Sequence, residues 1–223
     1  MTLPHGEPPA GPWRAIAGDE LASLVMGAAP ERHPRIVAID GRSASGKSTL
    51  AGFLHSAIPG SALVHTDDLA WNEPMFGWGH LLADGILAPL RRGEGVTLRP
   101  SAWVRLGRQG AIDVPGTTDV VLVEGVGANQ REFADLIDFT IWTQSDQAEA
   151  ERRGIARDIA SGVNGDAEQS AAFWHGWMAH ETRFLAEERP WERADLIVAG
   201  TDVIPLDAGQ FAVAITTRGL SRV

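Results

Sequence analysis

The chain has 223 residues, a formal net charge of −10 and no cysteine. Its length suits one α/β domain with a buried sheet, and its negative charge argues against a nucleic-acid partner, which needs clustered Lys and Arg. The lack of cysteine excludes a disulfide framework, a thiol nucleophile and a thiolate metal site. It is compatible with a reducing cytosol, and we predict a cytoplasmic protein.

Residues 1–34 are predicted to form a leader followed by a short helix. Residues 1–12 are rich in proline and carry no apolar signal-peptide segment, so we expect a loose leader. The pattern over 19–27 predicts the helix, with Asp19 near its cap. No apolar run approaches the roughly 20 residues of a membrane span, so no membrane partner is expected.

Residues 41–48 match the phosphate-binding pattern G-x-x-x-x-G-K-[ST]. Lys47 is the only lysine of the chain, which suggests a site that arginine cannot fill. A compact ammonium fits between the β- and γ-phosphates of a nucleotide, whereas a planar guanidinium is too wide. An ordinary Gly-Ser turn is the alternative. We expect a nucleotide to bind to Gly41, Arg42, Ser43, Ala44, Ser45, Gly46, Lys47, Ser48 and Thr49, with the Ser48 hydroxyl on Mg²⁺.

A strand, a glycine loop and a helix are predicted in the order that this motif requires. The run Ile36–Asp40 is apolar and rich in β-branched residues, as in a buried parallel strand. Apolar residues at helical spacing predict a helix over 47–57. The loop between them would direct backbone N–H groups at the phosphates, helped by the helix N-terminus.

Two carboxylates follow the next predicted strand, Ala62–His65. Ligands bind at the carboxyl ends of strands in a parallel sheet, so Asp67 and Asp68 should lie near the phosphate loop. A carboxylate there can accept the proton of an attacking hydroxyl and help to hold Mg²⁺. The residues alone do not decide which of the two acts, and capping of the next helix is the alternative.

Residues 93–118 differ from their surroundings. They follow a helix predicted over 78–91, and they carry several glycines and prolines around short β-like pieces, Val96–Arg99 and Ala111–Val114. We therefore predict a long insertion or hairpin. A loop of that length is usually functional or mobile.

The predicted strand Val120–Glu124 ends in an acid, as a Walker B element does. Glu124 would complete the Mg²⁺ shell or orient the acceptor. A solvated glutamate at a strand end is the alternative.

Two arginines share one face of a helix predicted over 146–161. Arg153 and Arg157 are one turn apart, and an arginine that reaches the transferring phosphoryl group would stabilise its charge. A helical lid over about 152–170 would deliver them. Pairing with Glu149 and Asp158 on a solvated charged face is the alternative.

Tryptophan is abundant, with 8 residues, whereas tyrosine is absent. Flat aromatic rings can stack on a base or a sugar, although tryptophan is more often part of the core. The tryptophans in or beside segments that would flank an acceptor pocket are Trp71, Trp78, Trp103, Trp174 and Trp177. We assign Trp71 and Trp103, together with Asp68, to acceptor binding.

Further strands are predicted at Phe139–Thr143 and Leu196–Ala199, with helices over 130–136 and 168–188. Alternating strands and helices predict a parallel sheet covered on both faces. The expected fold is an α/β P-loop NTPase three-layer sandwich with a five-stranded parallel sheet and a small helical lid. We expect it to form a single domain over 35–223.

The motifs together resemble the uridine kinase-like small-molecule kinases, which include uridine/cytidine kinases and nicotinamide riboside kinases. The resemblance spans about residues 35–200 and is carried by 39–49, Asp67-Asp68, 120–125, 152–158 and 193–198. It implies ATP and Mg²⁺ as cofactors and a small alcohol or nucleoside as acceptor. It also implies that Asp67 is the general base, that Ser48 and Glu124 form the magnesium site, and that the helix of Arg153 and Arg157 is the lid.

The chain departs from uridine kinases in two segments that shape the acceptor pocket. The usual Asp-x-Phe-Tyr segment reads Asp67-Asp-Leu-Ala-Trp71, and the lid lacks the usual Arg-Gly-Arg and continues Ile-Ala-Ser-Gly-Val-Asn-Gly over 159–165. We predict a kinase that transfers the γ-phosphoryl group of ATP to a hydroxyl of a nucleoside or riboside-like molecule. A regulatory ATP-binding or ATPase protein without a small-molecule acceptor is the alternative.

Overall fold

The computed structural model describes residues 1–28 and 31–220; residues 221–223, at the end of the predicted domain, lie outside this range. The strands are β1 (Arg14–Ala17), β2 (Arg35–Gly41), β3 (Ser61–His65), β4 (Val96–Leu98), β5 (Ile112–Val114), β6 (Val120–Glu124), β7 (Phe139–Gln144), β8 (Leu196–Ala199) and β9 (Gln210–Ile215). The α-helices are α1 (Gly18–Gly27), α2 (Lys47–Ala57), α3 (Thr66–Ala70), α4 (Gly79–Leu82), α5 (Ala88–Arg91), α6 (Ser101–Leu106), α7 (Gln147–Ser161), α8 (Ala167–Glu188) and α9 (Thr217–Leu220). A π-helical turn covers Ala83–Leu87, and 3-10 turns cover Arg131–Leu136 and Pro190–Glu192.

The main sheet has seven strands in the order β1-β9-β8-β7-β2-β6-β3. The five strands predicted from the sequence, β8, β7, β2, β6 and β3, are parallel to one another. Strand β9 is antiparallel to β8, and β1 is antiparallel to β9. The predicted strand number of five is therefore wrong, because two antiparallel strands extend one edge of the parallel core.

Alternate residues of the central strand β2 point to opposite faces of the sheet. Val37 and Ile39 join a core cluster with helices α1 and α2, whereas Ile36 and Ala38 join a second cluster with residues 82–90 and the insertion. Because both faces of the sheet are covered, the strands are buried apolar runs as expected for a parallel sheet. The α/β class with helices on both faces is confirmed.

The insertion of residues 93–118 folds as an antiparallel pair, β4 with β5, and the short helix α6 lies between them. The sequence predicts the strands but not α6. The helix predicted over 78–91 is interrupted by the π-helical turn at Ala83–Leu87. Pro89 lies just beyond this turn and has no backbone N–H for a helical bond, which disrupts regular helix geometry there.

The N-terminal segment is attached to the domain and is not a loose leader. Glu7 is buried, and its carboxylate accepts hydrogen bonds from Arg42 Nε at 2.8 Å, Trp142 Nε1 at 2.7 Å and Gln144 Nε2 at 3.0 Å. The segment thereby contacts the loop that follows β2. No helix within 1–28 and 31–220 is long and apolar enough to cross a membrane.

Helices α7 and α8 approach each other closely at Gly154. A Cβ atom built on Gly154 would overlap the ring of Trp174, which is buried. The absence of a side chain at this position therefore sets the distance between the two helices.

We expect Gly154→Ala to destabilise the protein, although alanine is the better helix former. Alanine gains about 1 kcal/mol of helix propensity, but the overlap with Trp174 costs about 1–3 kcal/mol, so the net loss in the free energy of unfolding is about 1 kcal/mol. Gly176→Ala is the matched control, because Gly176 lies in α8 with open space around its Cβ position. Urea denaturation that finds the Gly154 variant as stable as the Gly176 variant would contradict this account of the contact.

Candidate active site

The loop between β2 and α2 has the shape of a phosphate cradle. Gly46, which caps α2, has φ 99°, and Ala44 at the loop apex has φ 57°, an uncommon conformation for a residue with a side chain. Lys47 is buried, and its Nζ donates a hydrogen bond to the Arg42 carbonyl at 2.8 Å. The ammonium and the first N–H groups of α2 thus lie at one end of the helix, where an anion binds favourably.

Residues at the end of β7 form hydrogen bonds with this loop. Ser45 Oγ lies 2.5 Å from Thr143 Oγ1, and Ser145 Oγ donates to the Ser45 carbonyl at 2.8 Å. A side chain at Gly41 would overlap Thr143, so only glycine allows this approach. The loop is therefore fixed by contacts that do not occupy its phosphate-facing side.

Asp40, at the end of β2, organises two neighbouring loops. Its carboxylate accepts backbone hydrogen bonds from Gly41 at 2.7 Å, Gly127 at 3.0 Å and Asn129 at 3.1 Å. Burial raises the pKa of Asp40 to about 6, even though the three N–H donors act in the opposite direction. Asp40 therefore connects the phosphate loop to the segment that follows β6.

We expect this raised pKa to be visible in the pH dependence of stability. The folded pKa lies above the unfolded value, so the wild type loses stability as pH rises from about 4 through about 6. Asparagine does not titrate, so the stability of Asp40→Asn has no such loss from this position. Asparagine also turns an N–H group towards a backbone N–H, so the variant is less stable at about pH 4.5. By about pH 7.5 the difference in unfolding free energy between the two proteins should shrink by about 2 kcal/mol. Urea unfolding that gives the same difference at both pH values would contradict the prediction.

Ser48, Glu124 and His65 form a hydrogen-bonded group beside the cradle. Ser48 Oγ donates to Glu124 Oε1 at 3.0 Å, and His65 Nδ1 lies 2.8 Å from Glu124 Oε2. Burial acts to raise the pKa of Glu124, but the hydrogen bond with His65 and the charge of Lys47 outweigh it and the pKa is lowered. The bond with Glu124 likewise raises the pKa of His65. Glu124 is thus held as a carboxylate next to the Ser48 hydroxyl.

The hydroxyl of Ser48 and the carboxylate of Glu124 are chemically suited to bind a magnesium ion. Mg²⁺ prefers oxygen ligands and in kinases is held by one or two carboxylates together with substrate phosphates. No group of three or more His, Cys, Asp or Glu side chains that could hold a metal occurs in the part of the chain that the structure describes. Ser48 and Glu124, with Asp67 on the same cavity, would therefore hold the ion only together with a nucleotide.

A cavity of about 600 Å³ lies above the cradle. It combines cations, carboxylates and an aromatic wall; its lining includes Ser43, Ala44, Gly46, Lys47, Ser48, Thr49, Asp67, Glu124, Gly125, Val126, Arg153, Arg157, Asp158, Phe173, Trp174 and Trp177. The structure thus brings most of the predicted nucleotide, metal and catalytic residues to one space. Gly41, Arg42 and Ser45 belong to the loop but do not line this cavity.

The two predicted lid arginines both line the cavity. Arg153 donates to the Gly200 carbonyl at 2.6 Å and to Glu149 at 2.8 Å, and Arg157 Nε donates to Asp158 at 3.1 Å. Both arginines therefore also pair with the carboxylates that the alternative, a solvated charged face, requires.

The structure places Asp68, Trp71 and Trp103 outside the lining of the cavity. Asp68 pairs with Arg108 of the insertion, and Trp103 Nε1 donates to the Asp68 carbonyl at 2.9 Å. The Arg108 guanidinium lies 3.7 Å from the ring centroid of Trp103 and 5.3 Å from that of Trp71. These residues come together because the insertion packs on α3 and on Trp71, which follows it, a long-range contact that spacing does not reveal. Their role in acceptor binding stays a prediction.

Sequence reasoning missed two features of the site. The sequence pattern assigns no role to His65, yet His65 is the register partner of Glu124 on the neighbouring strand, which pairing of the two predicted strand ends could have revealed. Phe173 was not singled out, although it lies one turn before Trp177 on α8 and lines the cavity half-exposed.

Solved structures share the fold. The chain is similar to a "Possible Uridine Kinase" from Bacillus stearothermophilus, with 19% identity over 81% of this chain and 96% of that chain and a TM-score of 0.50. It is also similar to a "putative fructose transport system kinase" from a Silicibacter species, with 23% identity over 80% of this chain and 95% of that chain and a TM-score of 0.51. No family model and no curated protein matches the chain. At these identities the similarity shows the fold, and the chain therefore has a P-loop kinase-like fold, as the sequence resemblance predicts.

Proposed function

We propose that the protein is an ATP-dependent kinase that phosphorylates a hydroxyl group of a small molecule. The observation that supports this most is that one cavity is lined by Lys47, Ser48, Glu124 and Asp67. A phosphate cradle, a metal-binding pair of oxygens and a free carboxylate are the parts that phosphoryl transfer needs. Both similar structures are named as kinases, which supports the same class.

In the proposed step, the carboxylate of Asp67 takes the proton of the acceptor hydroxyl. The hydroxyl oxygen forms a bond to the γ-phosphorus, the bond to the β,γ-bridging oxygen breaks, and ADP leaves with that oxygen and its electron pair. Lys47 stabilises the charge that develops between the β- and γ-phosphates, and Arg153 and Arg157 neutralise the transferring group. Catalysis of this kind comes mainly from positioning and charge stabilisation.

When bound, Mg²⁺ would offset the negative charge of the phosphate groups. Ser48 and Glu124 are the side chains that would hold it, and the lowered pKa of Glu124 keeps this carboxylate ionised at neutral pH.

A nucleoside or riboside-like acceptor agrees with the aromatic side of the cavity. Phe173, Trp174 and Trp177 of α8 line it, and flat rings of this kind stack on bases and sugars. The half-exposed ring of Phe173 is the member of this wall most open to a ligand.

One observation favours the alternative of an ATPase or regulatory ATP-binding protein. The residues that the sequence assigns to the acceptor, Asp68, Trp71 and Trp103, all contact Arg108 and do not line the cavity. A protein without a small-molecule acceptor would position water in the cavity instead.

ADP release distinguishes the two functions. We expect purified protein with MgATP to release ADP at a rate that depends on an added acceptor from a panel of nucleosides, ribosides, sugars and other small alcohols. Release that is the same with and without every acceptor would favour the ATPase, and the Lys47→Ala variant serves as the blank in both cases.

A further inference from the structure

A buried carboxylate of helix α8 reaches the phosphate loop from outside. The side chain of Glu181 is 0% exposed, and its Oε2 accepts hydrogen bonds from the Ser43 N–H at 3.0 Å and the Ser43 hydroxyl at 2.6 Å. The indole N–H of Trp177, one turn earlier in α8, donates to the same oxygen at 3.1 Å and to Ser43 Oγ at 2.8 Å. We call this closed set of contacts between Ser43, Trp177 and Glu181 the α8 link.

A carboxylate in this position is unfavourable for the stability of the fold and for the binding of a negatively charged nucleotide. Glu181 Oε1 is buried and has no hydrogen-bond partner within the described part of the chain, which is unfavourable for a polar atom away from water. The negative charge of the group also lies beside a loop that we propose binds a polyphosphate. Natural proteins break such rules mainly at functional sites.

The α8 link joins two surfaces that a kinase must bring together. Ser43 directly precedes Ala44, whose φ of 57° places a non-glycine residue in the left-handed region at the apex of the loop. Strained backbone of this kind persists only where its surroundings hold it. Trp177 belongs to the aromatic wall of the cavity. Glu181 therefore hydrogen-bonds both to the residue that precedes the apex of the cradle and to one residue of the aromatic wall.

We propose that Glu181 is a positioning residue that orders the phosphate loop before the nucleotide arrives and ties the loop to the aromatic wall. The proposal rests on the proposed function in one respect, that the loop binds a nucleotide. It does not depend on the identity of the acceptor, so nucleotide affinity tests it directly.

The test compares the dissociation constants of MgADP measured by calorimetry. Glu181→Leu removes all acceptor atoms at similar size, and we expect the Kd to rise about tenfold or more, the effect of losing one hydrogen bond to a charged group. Glu181→Gln keeps one oxygen for the three donors, so its Kd should stay within about threefold of the wild type. Glu187→Leu, an exposed position of the same helix, is the matched control and should leave the Kd unchanged.

A second measurement covers the case in which Glu181→Leu does not fold. The indole N–H of Trp177 gives an NMR peak that can be assigned by its loss in Trp177→Phe. We expect MgADP to shift this peak in the wild type, and to shift it less in Ser43→Ala, which loses the hydroxyl of the link but keeps its N–H.

The possible results separate this inference from the proposed function. A wild type that binds no nucleotide would overturn both. A wild type that binds MgADP, together with a folded Glu181→Leu protein of equal affinity, would overturn the positioning role alone. A Trp177 peak that does not respond to bound nucleotide would also overturn it.

Discussion

Replacing Lys47 by alanine is expected to lower kcat/KM for ATP by about a thousandfold or more, because it removes the one side-chain ammonium aimed at the developing phosphate charge. Lys47 is only 6% exposed, and its Nζ is held 2.8 Å from the Arg42 carbonyl at the base of the cavity. The chain contains no other lysine that could replace it.

Lys47→Arg is the informative comparison, because it keeps the charge. We expect this variant to be nearly as inactive as the alanine variant, since a planar guanidinium does not fit the slot between two phosphates. Steady-state ADP release and nucleotide Kd measure both effects, and the melting temperature shows whether each variant is folded. A folded Lys47→Ala protein that keeps a tenth of wild-type turnover would remove the phosphate loop from the mechanism.

Replacing Asp67 by asparagine is expected to lower kcat by about a hundredfold to ten-thousandfold, the range for loss of a general base. Nucleotide affinity should change much less, because Asp67 belongs to α3 and not to the phosphate loop, and it is proposed to act on the acceptor. Single-turnover kinetics and the Kd for MgATP separate these two effects.

Asp68→Asn provides the matched comparison at the adjacent position. Asp68 is paired with Arg108 and does not line the cavity, so we expect a smaller loss of turnover than for Asp67→Asn. If the Asp68 variant shows the larger loss with an intact nucleotide Kd, the base has been assigned to the wrong carboxylate.

Local patterns predicted the parallel core of the fold but not its edge. The five parallel strands are apolar runs that alternate with helices, and such alternation is readable from the sequence. Strand β1 has only four residues, most of them exposed, so it carries little periodicity. The run over 210–215 has the composition of a strand, but it follows β8 without an intervening helix and lies outside the βα pattern.

The site shows the same division between local and long-range information. The cradle is contiguous in sequence, so its residues are found by a motif. The contact of Glu181 with Ser43 joins residues 138 positions apart, and that of Glu7 with Arg42 crosses 35 positions. No spacing rule predicts such pairs, because they depend on how α8 and the N-terminal segment pack against the sheet.

The most direct test of the account is transfer of labelled phosphate from γ-labelled ATP to the acceptor found in the ADP-release panel. We expect the label to appear in a phosphorylated small molecule in the wild type, in amounts equal to the ADP formed, and to be lost in Lys47→Ala and Asp67→Asn. Label that appears only as inorganic phosphate, at the same rate with and without acceptor, would contradict the kinase function and identify an ATPase.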